Sequence, residues 1–194
     1  MSLKELCKSY NLELDNSFYQ DCEIFINLLQ KWGTTHNLSG SLATKDINEN
    51  ILDSIFPLSF VDSFSSFADI GTGAGYPGLI IAILKKDIKA YLIEPRVKRV
   101  AFLNYVKASL DLKNLTVLQK RVEEVNDLKV DFICSRAVTN TKLLLELTKD
   151  IKKTNSSYLF YKGSLLQNEL EEAKLNNYIV KQRNNRNYLY IKEN

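Results

Sequence analysis

The sequence predicts an α/β fold with a Rossmann-like sheet and an N-terminal helical extension. Beyond about residue 60, short apolar segments of strand length alternate with longer amphipathic segments. A glycine-rich segment lies between the first strand and the first helix of this alternating region. Because strand–helix alternation implies right-handed crossovers, the sheet should be mostly parallel and covered by helices on both faces. We expect residues 1–60 to form a helical segment packed on the core, and residues 61–194 to form the Rossmann-like domain.

The helical extension is predicted from the spacing of apolar residues between positions 18 and 32. These residues recur at intervals of 4, 3, 4 and 3, which places them on one side of a helix. Gly33 stands where a helix C-cap is expected, and Pro57 should stop a second helix over residues 47–56. The residues on the apolar face of the first helix are Phe18, Cys22, Phe25, Leu29 and Trp32.

The alternating region contains short β-type segments separated by helical ones. Strands are predicted over residues 67–70, 90–93, 115–118, 130–134, 157–161, 178–181 and 188–192. Helices are predicted over residues 77–86, 96–110, 142–149 and 165–175. Ligands of such sheets bind beyond the carboxyl ends of the strands. The functional loops are therefore expected at residues 71–78, 94–96, 119–123 and 135–138.

Composition bounds the class of protein. The chain has 194 residues, of which 45% are hydrophobic, enough for one sizeable core. Its net charge of +3 permits a nucleic-acid partner without requiring one. Cys7, Cys22 and Cys134 are far apart and there is one histidine, so we expect reduced thiols and no metal site. The longest apolar stretch, 79–84, is too short to span a bilayer. We expect a cytoplasmic monomer with no membrane partner.

The most informative segment, D-I-G-T-G-A-G-Y-P-G, follows the first predicted strand and opens a helix. Gly73, Gly75 and Gly78 fit G-x-G-x-x-G, the dinucleotide-binding fingerprint. Asp69, Gly71, Gly73 and Gly75 fit D-x-G-x-G-x-G, the pattern of class I methyltransferases. The second pattern starts directly after the strand, so we favour a Rossmann-like class I methyltransferase sheet.

An acidic residue supports the binding of an adenosine group. Glu94 ends the second predicted strand, 19 residues after Gly75, where a carboxylate can bind both ribose hydroxyls. Methyltransferases and NAD-dependent oxidoreductases share this feature. Tyr158 and Lys162 also form the Y-x-x-x-K pair of short-chain dehydrogenases, but they lie on a predicted strand, whereas that pair belongs on a helix. An adenosine-cofactor enzyme that acts on a small molecule, such as an NAD-dependent oxidoreductase, and a non-catalytic RNA-binding module remain alternatives.

Several motifs together resemble the RsmG (GidB) family of small-subunit rRNA guanine-N7 methyltransferases. The proline and glycine that end the glycine-rich segment are more specific to that family than the other glycines. The chain differs at Asn50, where histidine is usual, at His36, where tyrosine is common, and at Pro95, where serine is common. The matching segments are 31–32, 36–39, 51–54, 69–78, 98–103, 121–123, 135–137, 161–163 and Arg186.

The resemblance implies S-adenosyl-L-methionine as cofactor. Gly73, Gly75 and Glu94 are the cofactor contacts already expected from the glycine-rich segment and the second strand. By position the resemblance adds cofactor contacts from Gly71, Tyr76, Val122, Glu123 and Arg136. Gly71 allows the backbone to approach the methionine part of the cofactor closely. The apolar and acidic pair after the third strand is placed to hold the adenine.

The resemblance also implies the substrate, N7 of a guanine in 16S rRNA or in the small ribosomal subunit. That nitrogen carries a lone pair and no proton, so the reaction needs no general base and depends on alignment and exclusion of water. No residue is a certain catalytic group. Arg136, expected near the transferring centre, is the candidate, and Arg121, Lys162 and Arg186 are candidates for RNA contacts.

Overall fold

The computed structural model describes all residues except 37, 39, 193 and 194, and only the backbone of residues 35 and 36. Two residues of the family-like segment 36–39 thus lie outside the described part. Within that part the strands are β1 (Ser66–Ile70), β2 (Lys89–Ile93), β3 (Leu115–Leu118), β4 (Val130–Arg136), β5 (Lys152–Lys162), β6 (Tyr178–Arg183) and β7 (Arg186–Lys192). The α-helices are α1 (Leu3–Ser9), α2 (Asn16–His36), α3 (Thr44–Ile55), α4 (Gly78–Leu84), α5 (Val97–Ser109), α6 (Thr141–Thr148) and α7 (Leu166–Ala173).

The strands form one seven-stranded sheet in the order β3-β2-β1-β4-β5-β7-β6. The first five are parallel, and β7 is antiparallel to both β5 and β6. The order reverses between β1 and β4, which makes this the switch point where ligands of such sheets bind. The predicted α/β class with a mostly parallel sheet is confirmed.

The core lies on both faces of the sheet, because successive residues of a strand point in opposite directions. Phe132 and Cys134 belong to a cluster that also contains buried residues of α1 to α5. Ile133, between them in β4, belongs to a second cluster with buried residues of α6 and α7. The N-terminal helices therefore share a core face with α4 and α5. None of the helices in the described part of the chain is long and apolar enough to cross a membrane.

Two element boundaries differ from the prediction for identifiable reasons. Helix α2 continues through Gly33 to His36, so the prediction that this glycine ends the helix was wrong. A Cβ at Gly33 would lie 2.4 Å from Cδ2 of Leu42, so the glycine accommodates close packing of the following segment. Strand β5 begins at Lys152, well before residue 157, because its first residue pairs with Val130 of β4.

Asp131 ties three strands together at the edge of the sheet opposite the functional loops. Its carboxylate accepts hydrogen bonds from the backbone N–H groups of Ser65 (3.0 Å) and Ser66 (3.1 Å), and from the Lys153 ammonium. Burial opposes ionisation, but the hydrogen bonds from Lys153 and Ser65 outweigh it and hold the pKa of Asp131 well below its ordinary value. The ionised carboxylate therefore stabilises the fold.

Replacement of this carboxylate should produce a pH-dependent loss of stability. We expect Asp131→Asn to lower the free energy of unfolding by about 1 to 2 kcal/mol at pH 7. A depressed folded-state pKa contributes stability above the unfolded pKa, about 4, and loses it as the pH falls. Denaturant titrations should therefore show the difference from the original protein shrinking below about pH 4. A difference that stays constant down to pH 3, or the same loss in the exposed control Asp150→Asn, would contradict this role.

Candidate active site

The loops that follow β1, β2 and β4 meet at one edge of the sheet. Ile70, the last residue of β1, is in register with Ile93 of β2 and with Ser135 of β4. The Gly71 N–H donates to the carbonyl of Ile93 at 2.8 Å, which fixes the start of the glycine-rich loop against β2. The predicted functional loops are therefore neighbours in space.

The glycine-rich loop follows a course that side chains would hinder. Gly71 and Gly73 have φ values of +66° and +62°, in the left-handed region that favours glycine. A Cβ at Gly71 would lie 2.5 Å from Cγ2 of Val138 in the loop after β4. At Gly73 the nearest atom to such a Cβ is Nη1 of Arg99, at 3.7 Å. The loop backbone at Gly73 thus has space beside it.

A buried carboxylate anchors the loop from inside the protein. Asp69 is completely buried, and its Oδ2 accepts the Gly78 N–H at 2.8 Å, at the start of α4. Burial raises the pKa of Asp69 to about 7, although the hydrogen bond from the Gly78 N–H favours the ionised form. A Cβ at Gly78 would lie 2.4 Å from Cβ of Asp69, so this contact requires a glycine.

A second buried carboxylate faces the loop from β2. Glu94 is 2% exposed; its Oε2 accepts the Gly73 N–H at 3.0 Å, and its Oε1 accepts the Arg96 N–H at 3.0 Å. Nη1 of Arg99 lies 3.4 Å from the same Oε2. Each carboxylate oxygen has two lone pairs, so Glu94 can still accept from hydroxyl groups. It links the glycine-rich loop to the start of α5.

An apolar cleft opens beside these loops. Its volume is about 190 Å³, and its rim carries the exposed side chains of Arg121 and Glu123. Apolar walls with a few polar groups at the rim suit a flat heterocycle. The walls of the cleft include Ile70, Gly71, Ile93, Pro95, Val122 and Val138.

Tyr76 and Arg136 lie apart from the lining of this cleft. The buried Tyr76 ring packs edge-on against Phe25 of α2, with ring centroids 5.6 Å apart. The Arg136 guanidinium carbon lies 4.8 Å from the Tyr76 ring centroid. Its Nη1 donates to Oδ1 of Asn50 at 2.8 Å. The structure thus brings Gly71, Val122 and Glu123 together at the cleft and places this pair toward α3.

A second cavity, of about 250 Å³, lies next to Arg136. Asp53 lies at the centre of its charged groups, with oxygens 3.2 Å from Nε of Arg186 and 3.5 Å from both Arg136 and Arg183. The Tyr188 hydroxyl also donates to Asp53, at 2.6 Å. The residues that line this cavity are Glu49, Asn50, Asp53, Arg183, Asn184, Asn185 and Arg186.

Sequence reasoning did not identify Asp53, Glu49 or Arg183 as members of a site. The acids lie on α3 and the arginine on β6, and the sequence separates Arg183 from Glu49 by 134 positions. The one available signal was that Asp53 falls within the family-like segment 51–54.

The three candidate RNA contacts do not form one patch. Arg121 is exposed at the rim of the cleft, and Arg186 is half-buried in the second cavity. Lys162 is 7% exposed, and its ammonium donates to Oε2 of Glu169 at 2.7 Å and to the Thr139 carbonyl at 2.9 Å. In this structure the Lys162 charge is therefore neutralised internally.

Comparisons with known proteins agree on one family. A family profile described as "GidB: rRNA small subunit methyltransferase G" matches residues 18–194. A ribosomal RNA small subunit methyltransferase G from Aliarcobacter butzleri is 66% identical over 190 residues, which cover 98% of each chain. A protein of the same name from Wolinella succinogenes is 40% identical over 189 residues, 97% of each chain.

Solved structures at low identity share the fold. A SAM-dependent methyltransferase from Aquifex aeolicus has a TM-score of 0.53 and 21% identity, over 66% of this chain and 81% of its own. A ribosomal protein L11 methylase from Lactobacillus delbrueckii has a TM-score of 0.56 and 15% identity, over 79% of both chains. The predicted class I methyltransferase fold is confirmed.

The anchoring carboxylate should make stability fall as pH rises. Because the pKa of Asp69 is raised to about 7 in the folded protein, its contribution is fully present below the unfolded pKa, about 4, and is lost as pH rises through 7. Between about pH 4 and pH 7 the free energy of unfolding should decline by on the order of 4 kcal/mol because of this group, and we expect Asp69→Asn to remove that decline. Denaturant titrations from pH 4 to pH 8 measure it. A curve for Asp69→Asn parallel to that of the exposed control Asp87→Asn would disprove the burial effect.

Proposed function

The chain belongs to the GidB family of rRNA small subunit methyltransferase G proteins, and on that premise we propose that it methylates N7 of a guanine in 16S rRNA with S-adenosyl-L-methionine. The observation that carries the proposal is that Gly71 of the glycine-rich loop lines an apolar cleft of about 190 Å³ at the sheet switch point. Glu94 lies in the chain between the cleft residues Ile93 and Pro95 and accepts the N–H of Gly73 in the same loop. The substrate is the rRNA or the small ribosomal subunit, and the enzyme acts as a cytoplasmic monomer.

The residues at the cleft fit this cofactor. The backbone at Gly73 has space beside it that can admit the methionine part, and Gly71 lets Val138 pack closely against the start of the loop. Glu94 has acceptor capacity for ribose hydroxyls. Val122 gives an apolar wall and Glu123 a rim acceptor for the adenine. Gly75 keeps the loop on this course, with φ +105°.

S-adenosyl-L-methionine, when bound, supplies a methyl group activated by its sulfonium. N7 of guanine would accept this group through its lone pair, with no proton to remove and no need for a general base. The protein therefore has to align the two reactants and exclude water. This requirement fits a site built from buried loops and apolar walls.

Arg136 is the proposed positioning group at the transfer centre. Its guanidinium lies over Tyr76, which follows the glycine-rich loop, and donates to Asn50 in the wall of the second cavity. Because Arg136 contacts both Tyr76 and Asn50, it can fix the position of the second cavity relative to the glycine-rich loop. Tyr76 then acts on the cofactor through Arg136 and the loop backbone.

Charged groups near the two openings support RNA binding to different degrees. Arg121 and Arg186 have exposed or half-exposed side chains and can reach phosphates or bases. Lys162 contributes through its pair with Glu169, which holds the loop between β4 and α6 by accepting from Thr141 at 2.7 Å. The extension over residues 1–60 adds part of the second cavity to the domain over residues 61–194.

The activity is tested by transfer of tritiated methyl to small subunits that lack the modification, followed by mapping of the base. We expect label at N7 of one guanine in 16S rRNA. Free 16S rRNA as a parallel substrate decides whether the assembled particle is required. Label on another base, or none with either substrate, would overturn the proposal.

Cofactor binding should depend on the strand-end acid. We expect Glu94→Gln to weaken S-adenosyl-L-methionine binding about tenfold to a hundredfold, because the ribose loses a charged acceptor. Calorimetry measures the affinity, and the exposed Glu171→Gln serves as the matched control. Equal affinities in the two variants would remove Glu94 from the cofactor site, and tighter binding of NAD than of S-adenosyl-L-methionine would favour an oxidoreductase.

A further inference from the structure

We infer that the second cavity holds the target guanine and that Glu49 selects it by accepting hydrogen bonds from N1–H and the N2 amino group. This inference rests on the proposed function, since it names the part of the protein that recognises the base. The cavity has a volume of about 250 Å³ and is lined by carboxylate, amide and guanidinium groups. Unstacked RNA bases are commonly recognised through hydrogen bonds to their exposed edges.

Methylation at N7 restricts how the guanine can be read. Guanine presents N7 and O6 as acceptors on one edge and its N2 amino group as a donor on another. The commonest specific contact to guanine, an arginine fork on O6 and N7, would occupy the reacting nitrogen. Selection therefore has to come from the donors N1–H and N2–H, and a carboxylate is the acceptor with matching geometry and charge.

Glu49 is the accessible carboxylate of this cavity. Its side chain is 38% exposed, whereas the Asp53 side chain is 6% exposed and contacts three arginines. Nη1 of Arg183 lies 3.0 Å from Oε2 of Glu49, which orients the carboxylate from its buried side. A carboxylate has about four lone-pair sites, so this contact leaves capacity for two donors from a base.

The surrounding charges favour a base over a phosphate. Arg183 is 7% exposed and its guanidinium contacts Glu49, Asp53 and the Tyr188 hydroxyl. The buried arginine is thereby committed to protein acceptors, and the Glu49 carboxylate beside it repels a phosphate. Two arginines and two carboxylates line the cavity, so the charges of its lining balance, which suits a base whose phosphates stay outside.

The position of the cavity relative to the glycine-rich loop fits the reaction. Asn50 lines the cavity next to Glu49 and accepts from Arg136 at 2.8 Å. The Arg136 guanidinium lies over Tyr76 at the end of the glycine-rich loop. A base whose donor edge meets Glu49 can therefore turn its N7 edge toward Asn50 and Arg136, which is the side on which the glycine-rich loop lies.

The test removes one donor from the substrate and one acceptor from the enzyme. Inosine differs from guanosine in lacking the N2 amino group. Small subunits are reconstituted with guanosine or inosine at the mapped position, and methyl transfer is measured for the original enzyme, Glu49→Gln and the exposed control Glu171→Gln. We expect the original and control enzymes to prefer guanosine at least about tenfold in kcat/KM, the effect of one hydrogen bond to a charged group.

In Glu49→Gln the preference should fall toward one, because an amide places its own donors against those of the base. The ratio of the two substrates is measured within each enzyme, so a partial loss of folded protein cancels. Affinity for S-adenosyl-L-methionine should stay unchanged.

The inference would be overturned if the original enzyme did not discriminate between guanosine and inosine, or if Glu49→Gln kept the original ratio of the two substrates. Tighter binding of both substrates with an unchanged ratio would identify a phosphate site and overturn it too. Absence of transfer to guanosine by the original enzyme would instead contradict the proposed function.

Discussion

Two buried carboxylates hold the loop that follows β1, and the geometry of the apolar cleft depends on the course of that loop. Asp69 accepts the Gly78 N–H from inside the sheet, and Glu94 accepts the Gly73 N–H from the neighbouring strand. Between these anchors the backbone passes through left-handed conformations that glycine adopts without strain. The loop therefore leaves its outer side open to a ligand while its inner side is fixed.

The second constraint is a network of charge around Asp53 that joins distant parts of the chain. Helix α3 contributes Asp53, β4 contributes Arg136, and the β6–β7 hairpin contributes Arg183, Arg186 and Tyr188. A buried acid with one arginine would be a modest gain, since desolvation offsets much of the attraction. Here the Asp53 carboxylate contacts several guanidinium groups and the Tyr188 hydroxyl, and these contacts hold α3 against the C-terminal hairpin. This arrangement places Asn50, the neighbour of Glu49 in the cavity lining, within hydrogen-bond distance of Arg136.

The sheet and its loops could be predicted from local patterns in the sequence. The strand–helix alternation predicted the fold class, and the glycine-rich segment after β1 predicted the position of the cleft. Predictions failed where a distant residue decided a local conformation. Gly33 has the character of a C-cap, but α2 continues through it, and the close packing of Leu42 explains why this position has no side chain. Strand β5 extends to Lys152 because pairing with β4 outweighs the polar residues at its start.

By itself the sequence determined the family, the Rossmann-like architecture and the strand ends at which a ligand would bind, because these depend on periodicity and on short contiguous motifs. Tertiary structure alone decided which predicted residues meet. It placed Gly71, Val122 and Glu123 at one cleft, Arg186 in another cavity with Arg136 against its wall, and Lys162 in an internal ion pair. Contacts such as Glu49 with Arg183 join residues more than a hundred positions apart. Their energy arises from burial and charge pairing, which no local pattern in a single sequence records.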